Sequence, residues 1–158
     1  MDDLSPSARR VQEALDAAGM SCVVVELTAS TRTAQEAADA VGCSVAQIVK
    51  SLVFRAKQSG RGIFIAAAGV NRVNEKRVRE YLGEPIERAT PEFVREMTGY
   101  AIGGVSPVGH PAAMEYFIDQ DLLQFEEIWA AAGTPTTVFR LTPAQLQQLI
   151  GGRVVSIL

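Results

Sequence analysis

The sequence predicts an α+β fold, a compact single domain over residues 1–158 in which a mixed, mostly antiparallel sheet is flanked by helices. Three observations predict it. Strand-like runs are interspersed with capped segments of helical period. Several neighbouring strand-like runs are joined by connections too short for the crossover that parallel pairing requires. Finally, 158 residues suit one core, and 47% hydrophobic with 21% charged residues is the balance of an ordinary globular chain.

The first helix starts at Ser5-Pro6, with Ser5 as cap and proline at the first helical position, and stops at Gly19. Val11, Ala14, Leu15 and Ala18 fall on one face of it. Cys22-Val23-Val24-Val25 is a β-branched run after a glycine stop, hence a strand, and it leads into a Thr/Ser-rich loop. Thr33-Ala34-Gln35-Glu36 has capping-box spacing and opens an alanine-rich helix that ends at Gly42; Ser44 caps a short turn through Gln47. The runs from Ile48 to Phe54 and from Gly62 to Ala68 form a hairpin around Lys57-Gln58-Ser59-Gly60-Arg61, at the sheet centre. Asn74 caps a helix to Leu82, and Thr90-Pro91-Glu92 starts another that ends at Gly99. Strands follow over 115–118, 128–131, 136–141 and 154–158, with a turn or short helix over 119–125 and a last helix from Thr142-Pro143 through Ile150.

Composition narrows the function classes. The longest apolar run, Ile63 to Ala68, is far shorter than the ~20 residues needed to cross a bilayer. Met1-Asp2-Asp3-Leu4-Ser5-Pro6 is acidic and polar where an export signal places positive charge before an apolar stretch. Cys22 and Cys43 are too far apart for a C-x-x-C motif, so a reducing cytoplasm is expected. A net charge of −3 argues against bulk attraction to nucleic acid but leaves room for local basic patches. Two are visible: Arg55, Lys57 and Arg61 around one turn, and Arg72, Lys76, Arg77 and Arg79 around one helix start.

Two features stand out as chemistry. In the strand at 48–54 the two-residue period puts Ile48, Lys50, Leu52 and Phe54 on one face and Val49, Ser51 and Val53 on the other. An ammonium on the bulkier apolar face must reach water at the strand end, meet an anion or line a cleft, because an unpaired buried charge is very costly. The segment Gly103-Gly104-Val105-Ser106-Pro107-Val108-Gly109-His110-Pro111 gathers three glycines, two prolines, a hydroxyl and the only histidine into nine residues. It is either an elaborate structural turn or a loop that presents backbone N–H and C=O groups to a ligand, as amine recognition or oxyanion stabilisation requires. It does not match G-x-G-x-x-G or a P-loop. His110 is open to two readings, an acid/base or a capped loop residue, and without a second histidine or a cysteine cluster no zinc site is supported. Asp119 and Asp121 suit capping of the following turn as well as chemistry.

Taken together, Thr33-Ala34-Gln35-Glu36-Ala37-Ala38, Ile48-Val49-Lys50-Ser51-Leu52-Val53-Phe54, Gly103-Gly104-Val105-Ser106-Pro107-Val108-Gly109 and Ile118-Asp119 resemble the YbaK/prolyl-tRNA-synthetase-associated editing domain family. The resemblance spans nearly the whole chain, and its most specific part is the strand lysine followed by G-x-x-x-P, here Gly103 to Pro107. It implies a compact mixed-sheet domain of the editing-domain type and hydrolysis of aminoacyl-tRNA carrying the wrong amino acid. The chain resembles the free-standing form, which acts in trans, and no metal or organic cofactor is implied. The expected partners are the acceptor end of a mischarged tRNA, with tRNA-Pro and a small amino acid expected, and prolyl-tRNA synthetase.

The resemblance also assigns roles. Lys50 matches the family's essential lysine, and because an ordinary lysine is protonated at neutral pH it is assigned to binding the terminal nucleotide and stabilising developing charge. The backbone from Gly103 through Gly104, Val105 and Ser106 to Pro107 would hold the substrate's amino group and carbonyl, with Ser106 as a further donor. Ser51, His110 and Thr31 of the Thr/Ser-rich loop complete the substrate contacts. Ser51 stands where other members often carry threonine or asparagine, so the resemblance does not carry a particular amino acid with it. From charge clustering, Arg72, Lys76, Arg77 and Arg79 would meet the tRNA, with Lys57 and Arg61 as a second contact. Two other readings stay open: a non-catalytic tRNA- or synthetase-binding module of the same fold, and an unrelated hydrolase using His110.

Overall fold

The computed structural model describes residues 4–158; the acidic start Met1-Asp2-Asp3, read above as unlike an export signal, lies outside them. Five α-helices are described: α1 (Pro6–Ala17), α2 (Ala34–Val41), α3 (Glu75–Leu82), α4 (Pro91–Thr98) and α5 (Pro143–Ile150). The strands are β1 (Val24–Glu26), β2 (Val49–Ala56), β3 (Gly62–Ala68), β4 (Ile86–Arg88), β5 (Glu115–Asp119), β6 (Ile128–Ala131), β7 (Thr137–Leu141) and β8 (Arg153–Val155). Short 3-10 turns at Val45–Gln47 and Gln120–Gln124 complete the element order.

The architecture is α+β, as expected, but the strands divide over two sheets. One is antiparallel with order β1-β7-β6, and the other has order β4-β2-β3-β5-β8. In the larger sheet β2 pairs antiparallel with β3 and β4, whereas β3–β5 and β5–β8 are parallel. The sheets meet where Ile48, just ahead of β2, bridges Trp129 of β6.

Local chemistry explains the boundaries. Each α-helix is capped by the side chain of the preceding residue: Ser5, Thr33, Asn74, Thr90 or Thr142 accepts a hydrogen bond from a first-turn N–H. Thr33 with Glu36 forms the capping box that the spacing predicts. β3 is buried along its whole length, which is why it reads as a continuous apolar run rather than an alternation. β4 is a departure from expectation: Ile86-Glu87-Arg88 is too short and polar to read as a strand, and it exists because β2 offers it an edge from Phe54 to Ala56. The first strand begins at Val24 rather than Cys22, since Val24 is where pairing to Phe139 starts.

β2 separates two cores, and this positions everything that follows. Val49 and Val53 point into the cluster with Phe64, Ala66, Val105, Ala130 and Phe139. Phe54 and Leu52 point to the opposite one, with Ile65, Ala67, Val78 and Phe117. The loop after α4 is tied to the smaller sheet by a close approach: a Cβ on Gly104 would lie 2.7–2.8 Å from the backbone of Thr134, in the β6–β7 turn. Gly104→Ala is therefore expected to lower stability by about 1–3 kcal/mol through overpacking against backbone that cannot swing aside, measured as a drop in the urea midpoint without a change in slope.

Candidate active site

A cleft of about 850 Å³ lies along the edge of β2, within the size range of small-ligand sites. It exists because β2 is covered incompletely. β4 reaches only Phe54–Ala56, and β6 is bridged only to Ile48, the residue before the strand. The Lys57 N–H donates to Pro85 O and the Ala56 N–H to Arg61 O, so odd-numbered residues turn their backbone groups to the β4 side and even-numbered ones to β3. Ser51 and Val53 consequently direct N–H and C=O to an edge where no strand pairs with them.

The cleft straddles that edge and has two walls. On one, Lys50 lies with Arg72, Val73 and Glu75; on the other, Ser51 and Val53 lie with Val94, Gly103, Val105, Ala130 and Val138. Thr31 and Arg32, at the entry to α2, close one end.

Lys50 is held by a relay. Its Nζ donates to the backbone carbonyl of Asn71, and the Asn71 side-chain amide donates to Asp119 (2.9 Å) and Asp121 (2.7 Å). Asp119 is 1% exposed and also accepts from the backbone N–H groups of Ala68 (3.0 Å) and Asp121 (2.9 Å). Burial lowers the Lys50 pKa, the Arg72 guanidinium lowers it further, and the Asp119 carboxylate partly restores it. Two cations thus sit together with only partial compensation, an arrangement that favours an incoming anion.

On the other wall, the Ser51 hydroxyl is the only buried side-chain polar atom without a hydrogen-bond partner among the described residues. Such a group costs free energy until something satisfies it. The loop supplies further unused groups. Gly104 N–H closes a turn onto Ala101 O, but the N–H groups of Gly103, Val105 and Ser106 meet no acceptor among the described residues. Gly103 adopts φ +99°, a backbone conformation open to glycine, and its α-carbon lies against the aliphatic stem of Arg32.

Six of the residues singled out from sequence therefore line one cleft: Thr31, Lys50, Ser51, Arg72, Gly103 and Val105. The Thr31 hydroxyl is engaged with Pro135 O at 2.8 Å. Gly104, Ser106 and Pro107 are buried behind the lining, and Ser106 Oγ accepts from Val108 N–H at 3.4 Å. His110 also lies behind the loop, both ring nitrogens occupied. Of the basic residues, Arg61 is paired with Glu84 and Glu115, and Arg77 donates to Leu158 O. Lys57 begins the hairpin turn, seven residues and roughly 23 Å of extended strand from Lys50. Lys76 and Arg79 are exposed on α3 and do not line the cleft. Arg32 and Arg88 do line it, and neither was separable by sequence from any other surface arginine. Asn71 was also missed; its only signal is a polar side chain directly after the Gly69-Val70 turn that ends a buried strand.

Comparison with known proteins bears on what this cleft serves. Residues 28–149 match the family model of the aminoacyl-tRNA editing domain, a stretch that holds Lys50, the glycine loop and Asp119. The chain belongs to the aminoacyl-tRNA editing domain family. A solved structure of a proposed trans-editing enzyme for prolyl-tRNA synthetase is 51% identical and superimposes with a TM-score of 0.92, covering 98% of both chains. The structure of protein APE2540 is 29% identical with a TM-score of 0.87, over 94% of this chain and 98% of the other. Among curated proteins, YwhH of Bacillus subtilis (strain 168) is 34% identical over 111 residues, 70% of each chain. Among the described residues of this editing domain there is no group of three or more potential metal ligands and no helix long and apolar enough to cross a membrane.

The relay makes a direct prediction. Asp119→Asn removes the charge that raises the Lys50 pKa, so Lys50 should titrate lower still than in the parent, as followed by NMR of its side-chain nitrogen. Asp119→Ala strips acceptors from the Ala68, Asn71 and Asp121 donors and should cost roughly 3 kcal/mol or more of unfolding free energy.

Proposed function

We propose that this editing domain is a trans-acting deacylase that hydrolyses the ester of a mischarged tRNA, with tRNA-Pro carrying a small amino acid as the substrate. The observation that carries the proposal is the pairing, across one open strand edge, of a cationic wall with a wall of unused hydrogen-bonding groups. A volume of about 850 Å³ far exceeds what a small amino acid needs and leaves room for the terminal nucleoside to which it is esterified.

In this reading Lys50 and Arg72 hold the phosphate or ribose oxygens of the terminal nucleotide, and the aminoacyl group lies against Ser51, Val53 and Val105. Desolvation lowers the Lys50 pKa, yet an ammonium beside Asp119 and a bound phosphate is an electrostatic anchor rather than a general base. Backbone N–H groups of Gly103 and Val105 stabilise the charge that develops on the ester carbonyl, in a site partly shielded from water. The short side chains Val94, Val105, Ala130 and Val138 limit the space beside Ser51, so discrimination is by size, at about 1–3 kcal/mol per methylene.

The tRNA contact also takes a different shape from the one read in sequence. Arg32, Arg72 and Arg88 line the cleft, and no carboxylate pairs with any of them among the described residues. They are better placed for the acceptor end than Arg61, which is already neutralised, or Lys57, which is remote. Partnership with prolyl-tRNA synthetase and a cytoplasmic location belong to the same reading.

The experiment is a panel of tRNAs charged with different amino acids. Release of a small amino acid, abolished by Lys50→Ala, is the expected result. No release from any ester would leave a binding module of the same fold. Arg32→Ala and Arg72→Ala should each weaken tRNA binding and reduce the salt slope by about 1, whereas Lys57→Ala should change neither. A slope that responds to Lys57 and not to Arg72 would move the acceptor end to the hairpin.

A further inference from the structure

The back of the glycine loop is built more carefully than a connecting turn requires. His110 Nε2 lies 2.7 Å from Ser106 O, and its Nδ1 lies 2.8 Å from the Tyr116 hydroxyl. Because Ser106 O only accepts, Nε2 carries the proton, and in the neutral ring Nδ1 accepts from the tyrosine. The imidazole is stacked on Tyr116 with an 8° interplanar angle and packs against Phe64 at 5.1 Å between centroids. A second clamp lies beside it: the Tyr100 hydroxyl donates to Val108 O at 2.7 Å, and Arg10 caps the Tyr100 ring at 4.4 Å.

These bonds determine which way the loop backbone faces. Ser106 O is drawn away from the cleft toward His110, and Pro107 fixes the next φ. The segment in front of this anchor, Gly103 to Ser106, carries the unused N–H groups, and Gly103 and Val105 line the cleft. Resting on the deacylase reading above, we propose that His110 is a positioning residue that, oriented by Tyr116, holds the Ser106 carbonyl and so aims the Gly103 and Val105 amides at the substrate ester.

Such a role works with a neutral ring. Burial lowers the His110 pKa, the bond to Ser106 O raises it, and Arg10 lowers it again. Among the described residues, the groups facing the imidazole are Tyr116, Tyr100, Arg10 and the Phe64 ring, with no carboxylate among them. An imidazolium would keep its Nε2–H bond to Ser106 O and be met at Nδ1 by the Tyr116 hydroxyl as acceptor, so the clamp rests on the Nε2 donor and not on the charge of the ring.

The test compares His110→Ala, His110→Gln and Tyr116→Phe in the full chain, using the tRNA ester that the parent hydrolyses fastest. The Gln side-chain amide can replace the Nε2 donor without titrating. His110→Ala should lower kcat at least tenfold with KM within about twofold, and should speed amide hydrogen exchange at Gly104 and Val108, the hydrogen-bonded amides of the loop. His110→Gln should recover most of both, with Tyr116→Phe in between. A folded His110→Ala with parental kcat and parental exchange at those amides overturns the proposal. So does a His110→Gln variant as inactive as His110→Ala with its loop still protected, which would make the imidazole a chemical participant. If the parent hydrolyses no ester, the deacylase reading fails by itself, and the exchange rates alone decide whether His110 holds the loop.

Discussion

The site depends on an interruption in strand pairing. A central strand normally has both edges satisfied, but β2 is covered by β4 at one end and touched by β6 at the other, with a gap between. The backbone groups that Ser51 and Val53 turn to this gap have no strand partner, and a ligand with its own donors and acceptors can pair with them. Had Ile86-Glu87-Arg88 extended four residues farther along β2, the cleft would be closed by an ordinary sheet.

Around that gap, rigidity is concentrated behind the reactive surfaces rather than on them. Lys50 is steered by Asn71, which is fixed by Asp119, which is fixed by the backbone of β3. The glycine loop is backed by His110 and Tyr100 and pressed onto Thr134. Each chain of contacts ends in buried secondary structure, so Lys50 and the loop amides of Gly103 and Val105 are held in place from behind, the kind of preorganisation that electrostatic stabilisation requires.

Much of this was legible in sequence where local rules dominate. Capping residues mark every α-helix start, and the two-residue period by itself puts Lys50 and Ser51 on opposite faces. The division into two sheets was not legible, because it depends on β7, the partner of β6, pairing with β1 across more than a hundred residues of chain. Nor were the partners of His110: a lone histidine between glycine and proline gives no hint that Tyr116, six residues on, will satisfy its second nitrogen. The two basic clusters are divided by the fold. Arg72 lines the cleft and Arg61 meets Glu84 and Glu115, while Arg32 and Arg88, isolated in sequence, line the cleft with no carboxylate paired to them among the described residues.

The alternation of β2 has one more consequence. Because consecutive residues serve opposite walls, the groups that would grip a phosphate and those that would measure an amino acid are neighbours in the chain yet separated by the thickness of the sheet. Substitutions at 51, 53, 105 or 138 can reshape one wall without moving Lys50, Arg72 or their support. A protein built this way can acquire a new specificity by drift on one face of a single strand, while the hold on the part common to every tRNA stays fixed on the other.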